Sequence, residues 1–184
     1  NSFHHLKQLF IRNVDLSELS TPLYNGQWSS LSPSTCMLER IDLSGTRVND
    51  QVVLSLLDIE SIRAIDLCHM KHLNPRTIEQ VCAHVNLTSL SLESMHLSNV
   101  AFKLLSQNTS LRRLSLRYSN LSSQVLQWLI SSVSIQELRV SCSCFVPYSI
   151  TFGLDDLVRN SVLQQLDLSG WIIENVSVLV SHTS

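Results

Sequence analysis

One short apolar pattern recurs along the whole chain and limits the folds that the chain can adopt. It consists of an aliphatic residue, two variable residues, a second aliphatic residue, one variable residue and a third aliphatic residue, as in LERIDL at 38–43 and LRRLSL at 111–116. Seven copies begin at Leu6, Leu38, Ile62, Leu87, Leu111, Ile135 and Leu163. The four central steps are 24 or 25 residues long, so the pattern is an internal repeat.

The pattern and its period resemble those of leucine-rich repeats, in which LxxLxL recurs about every 20–29 residues. In such a unit the LxxLxL segment is a short strand with interior aliphatic side chains, and a helix follows it. The fold expected for this α/β chain is a solenoid of about seven repeats that curves into a horseshoe, with a parallel β-sheet on the concave face and helices on the convex face. The ninth place often holds Asn or Cys in such repeats, but here it holds neither, so the repeats are degenerate.

Helix signals follow the central strands. In NPRTIEQVCAHV, Asn74 is a good N-cap residue and Pro75 suits the first helical position. The apolar face of this predicted helix comprises Ile78, Val81, Cys82 and Val85. Serine residues open two further predicted helices, in SNVAFKLLSQ and SSQVLQWLIS, and NDQVVLSLLDI predicts another.

The repeats occupy nearly all of residues 1–184, which we interpret as a single leucine-rich repeat domain. Two steps are longer than the others: residues 17–37 predict a loop on the convex side, and residues 141–160 predict an expanded unit with a short helix after Gly153. Neither end shows a polar capping segment, so we expect a fragment of a longer protein that is poorly soluble alone. The apolar residues expected to be exposed at the two ends are Leu6, Leu9 and Ile11, and Leu166, Leu168 and Val178.

Charge and cysteine content bear on the partners and the compartment. The formal net charge is −2 at pH 7, and the longest apolar runs fall far short of the roughly 20 residues that a membrane-spanning helix needs. We therefore expect neither a nucleic-acid nor a membrane partner. The five cysteines form no CxxC pair, which favours a reduced intracellular compartment, the cytoplasm or the nucleus. An extracellular recognition module is the alternative, based on N-x-S/T sequons at Asn86, Asn108, Asn120 and Asn175.

The sequence gives no reason to expect an enzyme or a cofactor. It contains no nucleophile elbow, P-loop, HExxH or dinucleotide-binding fingerprint. Cys142 and Cys144 form a CxC that could be half of a metal site, but no second pair with zinc spacing accompanies it. The simpler interpretation is the end of a strand. His69 and His72 straddle a predicted turn and are interpreted as turn residues rather than metal ligands.

Side chains at the third, fifth and seventh places of each repeat are expected to point away from the interior. A horseshoe without catalytic residues would offer these places to a protein partner. The candidate partner-binding residues are Phe10, Asp42, Asp66, Arg113, Arg117, Tyr118 and Arg139. For the arginines a structural role is also open, because neighbours one strand apart could form ion pairs. Those pairs would be Glu93 with Arg117, Arg113 with Glu137, and Arg139 with Asp167.

Asp42 and Asp66 are predicted to be neighbours in one row without a countercharge beside them, since Phe10 and Ser91 flank them. One interpretation is a pair of solvated carboxylates, or carboxylates bonded to a hydroxyl such as that of Ser44. The other is an acidic patch that binds a basic partner segment, with Phe10 as an apolar contact. On the second interpretation, replacing both aspartates by Asn would slightly stabilise the fold and weaken binding.

The order of three segments resembles that in the Zyg-eleven and ZER-type substrate receptors of cullin–RING ubiquitin ligases. The segments are LERIDLSGTRVND, then an expanded unit, then the final LQQLDLSGWIIENVSV. In that family a leucine-rich repeat domain lies between an elongin-binding box and an armadillo-type domain. The resemblance implies a substrate-receptor subunit that contacts elongin and cullin through regions outside this chain. The family's degron pocket belongs to the armadillo part, so no pocket residue is carried over. A general intracellular scaffold unrelated to ubiquitin is the alternative.

Overall fold

The computed structural model describes residues 5–15, 37–141, 149–150 and 155–173. In these residues the chain has an α/β fold with a seven-stranded parallel sheet, a separate two-stranded sheet and five helices. Several predicted features lie outside the described residues: the loop at 17–37 apart from its last residue, the CxC of Cys142 and Cys144, the sequon at Asn175, and Val178.

Each copy of the recurring pattern forms one strand of the large sheet. The strands are β1 (Gln8–Phe10), β2 (Arg40–Asp42), β3 (Ala64–Asp66), β4 (Ser89–Ser91), β5 (Arg113–Ser115), β6 (Glu137–Arg139) and β8 (Gln165–Asp167). The smaller sheet pairs β7 (Ser149–Ile150) with β9 (Ile172–Ile173), and the sequence pattern did not predict it. The large sheet follows chain order throughout, and equivalent places of neighbouring repeats pair with each other.

Helices follow the strands as the sequence predicted. They are α1 (Asp50–Leu57), α2 (Pro75–Ala83), α3 (Asn99–Gln107), α4 (Ser123–Ile130) and α5 (Asp155–Arg159). The predicted caps are confirmed for α2, α3 and α4: the side chains of Asn74, Ser98 and Ser122 accept hydrogen bonds from backbone amides in the first turn. Pro75 occupies the start of α2, where its missing amide hydrogen is not needed. Among these helices, none is long and apolar enough to cross a bilayer.

The core lies between the sheet and the helices. The middle residue of each central strand is almost fully buried, as at Ile65 and Leu114, both 2% exposed. Helix residues such as Phe102, Leu105 and Leu126 belong to the same cluster. The equivalent residues of the outer strands β1 and β8, Leu9 and Leu166, are only partly buried. The burial of the recurring aliphatic residues is therefore what joins one strand–helix unit to the next.

The prediction that Val85 faces the core is wrong. α2 ends at Ala83, and His84 has an extended backbone with φ −69° and ψ 125°. The helical spacing therefore stops before Val85, whose side chain is 73% exposed. The imidazole Nε2 of His84 lies 3.0 Å from the carbonyl oxygen of Leu57 and ties the end of α2 to the preceding unit.

Asparagine side chains secure the turns between units. Asn108 donates from Nδ2 to the carbonyl oxygens of Cys82 and His84, and its Oδ1 accepts from the backbone amide of Leu111. Asn160 holds the equivalent turn before β8, donating to the carbonyl oxygen of Ser132. In the sequence Asn108 stood out only as a sequon, but its amide nitrogen donates to two backbone carbonyls. The stacking of units thus uses side-chain hydrogen bonds as well as apolar burial.

The eighth place has a left-handed backbone in the six repeats where the structure describes that place. The residues with positive φ are Asn13, Gly45, His69, Ser94, Tyr118 and Gly170. Here the chain turns sharply from the strand toward the next helix. A left-handed backbone costs an ordinary residue about 1–2 kcal/mol, and glycine avoids this cost. Gly45, with φ +67°, also lies so close to Asn13 that a Cβ would stand 2.1 Å from Asn13 Oδ1.

Adding a Cβ at the eighth place should destabilise the fold, and removing one should not. Gly45→Ala adds a Cβ at positive φ and should lower the free energy of unfolding by about 1–2 kcal/mol. Ser94→Gly removes a Cβ at φ +59° and should leave stability unchanged or raise it by up to about 1 kcal/mol. Urea unfolding followed by circular dichroism measures both. Equal midpoints for Gly45→Ala and the parent would contradict the role given to this turn.

Candidate functional site

We define the open face as the sheet surface opposite the helices, formed by the third, fifth and seventh places of the repeats. The middle strand residues point into the core, so their neighbours on either side point the other way. The third places hold Gln8, Arg40, Ala64, Ser89, Arg113, Glu137 and Gln165. The fifth places hold Phe10, Asp42, Asp66, Ser91, Ser115, Arg139 and Asp167, and the seventh hold Arg12, Ser44, Cys68, Glu93, Arg117, Ser141 and Ser169.

Asp42 has a countercharge that its neighbours in the row, Phe10 and Asp66, do not supply. Arg12, from the end of the β1 repeat, donates from Nε and Nη2 to Asp42 Oδ2, both at 2.5 Å. The Asp42 side chain is only 1% exposed. Burial alone would raise its pKa, but hydrogen bonds from the Ser44 hydroxyl, Arg12 and the Ser44 backbone amide outweigh burial and leave the pKa below its ordinary value. Asp42 is therefore a structural carboxylate and is not accessible to a partner.

Ser44 bridges the two neighbouring carboxylates. Its Oγ lies 2.6 Å from Asp42 Oδ1 and 2.7 Å from Asp66 Oδ1. One hydroxyl has one proton, so it can donate fully to only one carboxylate at a time. Asp66 Oδ1 also accepts the backbone amide of Cys68 at 3.1 Å. The interpretation in which the two carboxylates are bonded to the Ser44 hydroxyl is thus confirmed.

The polar network continues to Cys68. Its Sγ lies 2.9 Å from Ser91 Oγ and accepts the backbone amide of Glu93 at 3.3 Å. Burial, followed by the nearby Asp66, raises the pKa of the Cys68 thiol to about 12. The thiol therefore stays protonated near neutral pH, which removes the reactivity that a nucleophilic cysteine needs.

Arg117 forms an ion pair that differs from the predicted one. Its Nη2 donates to Asp167 Oδ2 at 2.7 Å, so the side chain spans from the β5 repeat to β8 across β6. Ser141, the small residue at the seventh place between them, leaves room for this path. Hydrogen bonds from the Ser169 hydroxyl and amide, together with Arg117, lower the pKa of Asp167 to about 2. Arg117 Nε is buried and has no hydrogen-bond partner.

None of the three predicted lateral ion pairs is present. Glu93 accepts a hydrogen bond from Ser115 Oγ at 2.5 Å instead of pairing with Arg117. Asp167 is taken by Arg117, which leaves Arg139 without it. The ion pairs among the described residues are Lys7–Glu39, Arg12–Asp42, Arg47–Asp15 and Arg117–Asp167.

A depression of about 310 Å³ lies on the open face between β2 and β6. Serine side chains at Ser89, Ser91 and Ser115 line its floor, and charged side chains surround them. Three arginines line it whose guanidinium groups make neither an ion pair nor a hydrogen bond with any described residue: Arg40, Arg113 and Arg139. Their N–H donors are available to a ligand, since each guanidinium carries five.

The two candidate aromatic residues stand at separate places. Phe10 is 50% exposed on the outer strand β1, with the Arg12 guanidinium carbon 5.4 Å from the centre of its ring. Tyr118 is 55% exposed and follows Arg117 in the left-handed turn after β5. Four strand spacings, about 19 Å, separate their repeats. The structure therefore places Tyr118 beside Arg117, and Phe10 beside Arg12, the arginine that pairs with Asp42.

A second cavity of about 540 Å³ lies beside the turns that follow β2 and β3. Arg47, His69, Lys71 and His72 line it, and His72 Nε2 lies 2.8 Å from the carbonyl oxygen of Val48. From the sequence the two histidines were expected only as turn residues. Within the described part of the chain, no group of three His, Cys, Asp or Glu side chains could hold a metal ion.

No protein-family model matches the chain. The chain is 24% identical over 176 residues to a curated Trypanosoma equiperdum protein whose name describes an adenylate cyclase regulatory protein. That alignment covers 95% of this chain and 26% of the relative. The chain thus spans about a quarter of the length of the relative that it matches.

Replacement of Asp42 by Asn should destabilise the fold, contrary to the effect that the sequence alone suggested. Asn lacks the charged acceptor that holds the Ser44 hydroxyl and amide, and such hydrogen bonds contribute about 1–3 kcal/mol. Because the folded pKa of Asp42 is lowered, its contribution is complete above the unfolded value near 3.9 and declines as the pH falls further. In urea unfolding at pH 6, Asp42→Asn should have a lower free energy of unfolding than the parent. At pH 3 the difference between the two proteins should be smaller. A variant as stable as the parent at pH 6 would contradict this account.

Proposed function

We propose that the chain is a leucine-rich repeat solenoid, curved into a horseshoe, that binds a protein on its open, concave face. The seven in-register parallel strands and the helices that alternate with them support this fold. Parallel strands stacked in chain order produce an extended surface of this kind. The proposal makes the chain a binding module and not an enzyme.

The observation that carries the binding role is the depression on the open face. It combines a floor of small serine side chains with guanidinium groups that no described residue engages. Arginines that already form an ion pair within the protein need no ligand, as with Arg12, Arg47 and Arg117. Arg40, Arg113 and Arg139 have none, and arginine is enriched in protein interfaces. Tyr118, exposed beside Arg117, adds an aromatic contact at the same end of the face.

The cellular role that we propose is that of a substrate-receptor subunit of a cullin–RING ubiquitin ligase. The sequence resemblance to Zyg-eleven and ZER-type receptors supports it, and the protein-binding face suits a receptor. Elongin and cullin would bind through regions outside this chain. An intracellular scaffold unrelated to ubiquitin is the alternative within the same class of binding protein.

Regulation of another protein by binding is a second candidate role. The alignment with the trypanosome protein covers 95% of this chain, and that protein's name describes a regulator. A regulator can act through a binding surface without chemistry of its own. The two roles differ in the partners that they require, a cullin–elongin assembly in one case and a regulated enzyme in the other.

Blocking the open face should release the partner. Ser89 lines the depression on β4 and has no side-chain hydrogen bond with a described residue, so Ser89→Trp should fill the depression without removing a stabilising contact. Val100 is 56% exposed at the start of α3, and Val100→Trp is the matched control. In affinity capture with quantitative mass spectrometry, Ser89→Trp should lose at least tenfold of the specific partners and Val100→Trp should retain them.

The same experiment distinguishes the proposed roles. Cullin and elongin subunits recovered with the full-length protein would support the ubiquitin-ligase role, and a cyclase without them would support regulation. Equal recovery of every partner by Ser89→Trp and the parent, with both proteins folded by circular dichroism, would show that the open face is not the binding surface.

A further inference from the structure

We propose that the depression binds an extended acidic segment of the partner protein, with carboxylates that pair with Arg40 at one end and with Arg113 and Arg139 at the other. This inference rests on the proposed function, since it names the chemistry of the partner that the open face would bind. It follows from which polar groups lining the depression already have hydrogen-bond partners among the described residues and which do not.

The donors in the depression outnumber the acceptors that are still unoccupied. Of the three carboxylates that line it, Asp66 accepts from Ser44 and Cys68, and Glu93 accepts from Ser115. Glu137 is the one lining carboxylate without a hydrogen bond to the described residues. Three guanidinium groups have all their donors open. Carboxylates bind guanidinium groups in a bidentate manner, so they are the groups that this donor-rich surface would select.

Formal charge alone would not select an acidic partner here. The six charged side chains that line the depression are Arg40, Asp66, Glu93, Arg113, Glu137 and Arg139, and the two signs balance. Recognition must therefore depend on where each carboxylate is placed. Glu93, Glu137 and Asp66 would repel a carboxylate in the wrong place, and the three arginines would bind one in the right place.

The strand spacing sets the spacing of the acidic residues. Arg40 lies on β2 and Arg113 at the same place on β5, three strands away. Three spacings of about 4.8 Å separate them by about 14 Å. An extended peptide that crosses the strands advances about 3.3 Å per residue, so two acidic residues four positions apart match this distance. Four is an even number, so both side chains point toward the sheet, because side chains alternate along an extended segment.

The small side chains between the arginines leave room for a backbone to lie across the sheet. Ala64 and Ser89 occupy the third places of β3 and β4, between Arg40 and Arg113. Ser91 and Ser115 occupy the fifth places in the same part of the face. A peptide lying over these residues meets no large side chain until it reaches the arginines. Arg40, Arg113 and the small residues between them thus define one path across β2 to β5.

Fluorescence anisotropy with labelled ten-residue peptides tests the proposal on the full-length protein. The test peptide has two Glu residues four positions apart in a Ser/Thr/Val background; controls have Gln at both positions, Lys at both, or the two Glu adjacent. We expect saturable binding of the test peptide below 1 mM that is at least tenfold tighter than that of any control. Equal binding of the Gln peptide, or no binding of the test peptide up to 1 mM, would overturn the proposal.

Arginine variants locate the binding site. Arg40→Gln and Arg113→Gln should each weaken the test peptide at least threefold, and the variant with all three arginines replaced should abolish the preference for Glu over Gln. Arg76→Gln, at an exposed arginine on α2 away from the open face, is the matched control and should leave binding unchanged. Unchanged affinity of the triple variant, or a single-stranded oligonucleotide that binds more tightly than the test peptide and displaces it, would overturn the assignment.

The failure of this inference can be told apart from failure of the proposed function. If Ser89→Trp releases the cellular partners while the parent does not prefer the acidic peptide, the open face binds a protein of another chemistry and only the acidic class is wrong. If the acidic peptide binds with the expected arginine dependence, both the surface and the class of segment are supported.

Discussion

In-register parallel pairing is the constraint on which the rest of the structure depends. Every strand of the large sheet places its residues directly beside the equivalent residues of the next strand. On the inner side this stacks the aliphatic residues into one buried cluster. On the outer side it places the side chains at equivalent places about 4.8 Å apart, even where both carry the same charge. Asp42 and Asp66 show the consequence, since the fold must stabilise two carboxylates side by side.

The contacts that stabilise Asp42 and Asp66 form a polar network at one end of the open face. Arg12 and Ser44 hold Asp42, Ser44 reaches Asp66, and Cys68 continues the network to Ser91. At the other end Arg117 crosses a strand to Asp167. At the two ends of the face Arg12 and Arg117 are thereby in ion pairs, although Arg117 Nε has no hydrogen-bond partner. The charged groups left without one lie between these ends, around the serine-lined depression. Thus the open face separates charges that have partners among the described residues from charges that do not, a distinction that the overall charge does not reveal.

Much of the fold could be predicted from the sequence because the determining interactions are local or periodic. The LxxLxL repeat predicted the seven strands and their register, and Asn74 with Pro75 predicted the start of α2. The choice of ion-pair partner could not be predicted in this way, since a long side chain can pass its immediate neighbour. Arg117 does so across β6 to reach Asp167 on β8, and Arg12 approaches Asp42 from a different place in the preceding repeat. The Ser-Gly pairs that end at Gly45 and Gly170 indicate a left-handed eighth place in two repeats. Three other repeats have His69, Ser94 and Tyr118 there, and these residue types do not predict a left-handed backbone.

The central claim is that Asp167 is committed to Arg117, which leaves Arg139 available to a partner. Two double-mutant cycles measured by urea unfolding test it most directly, one with Arg117→Gln and Asp167→Asn and the other with Arg139→Gln and Asp167→Asn. The account predicts a coupling energy of about 0.2–1 kcal/mol, the range for exposed ion pairs, between Arg117 and Asp167. It predicts a coupling indistinguishable from zero between Arg139 and Asp167. The reverse result, with the coupling between Arg139 and Asp167, would contradict the account.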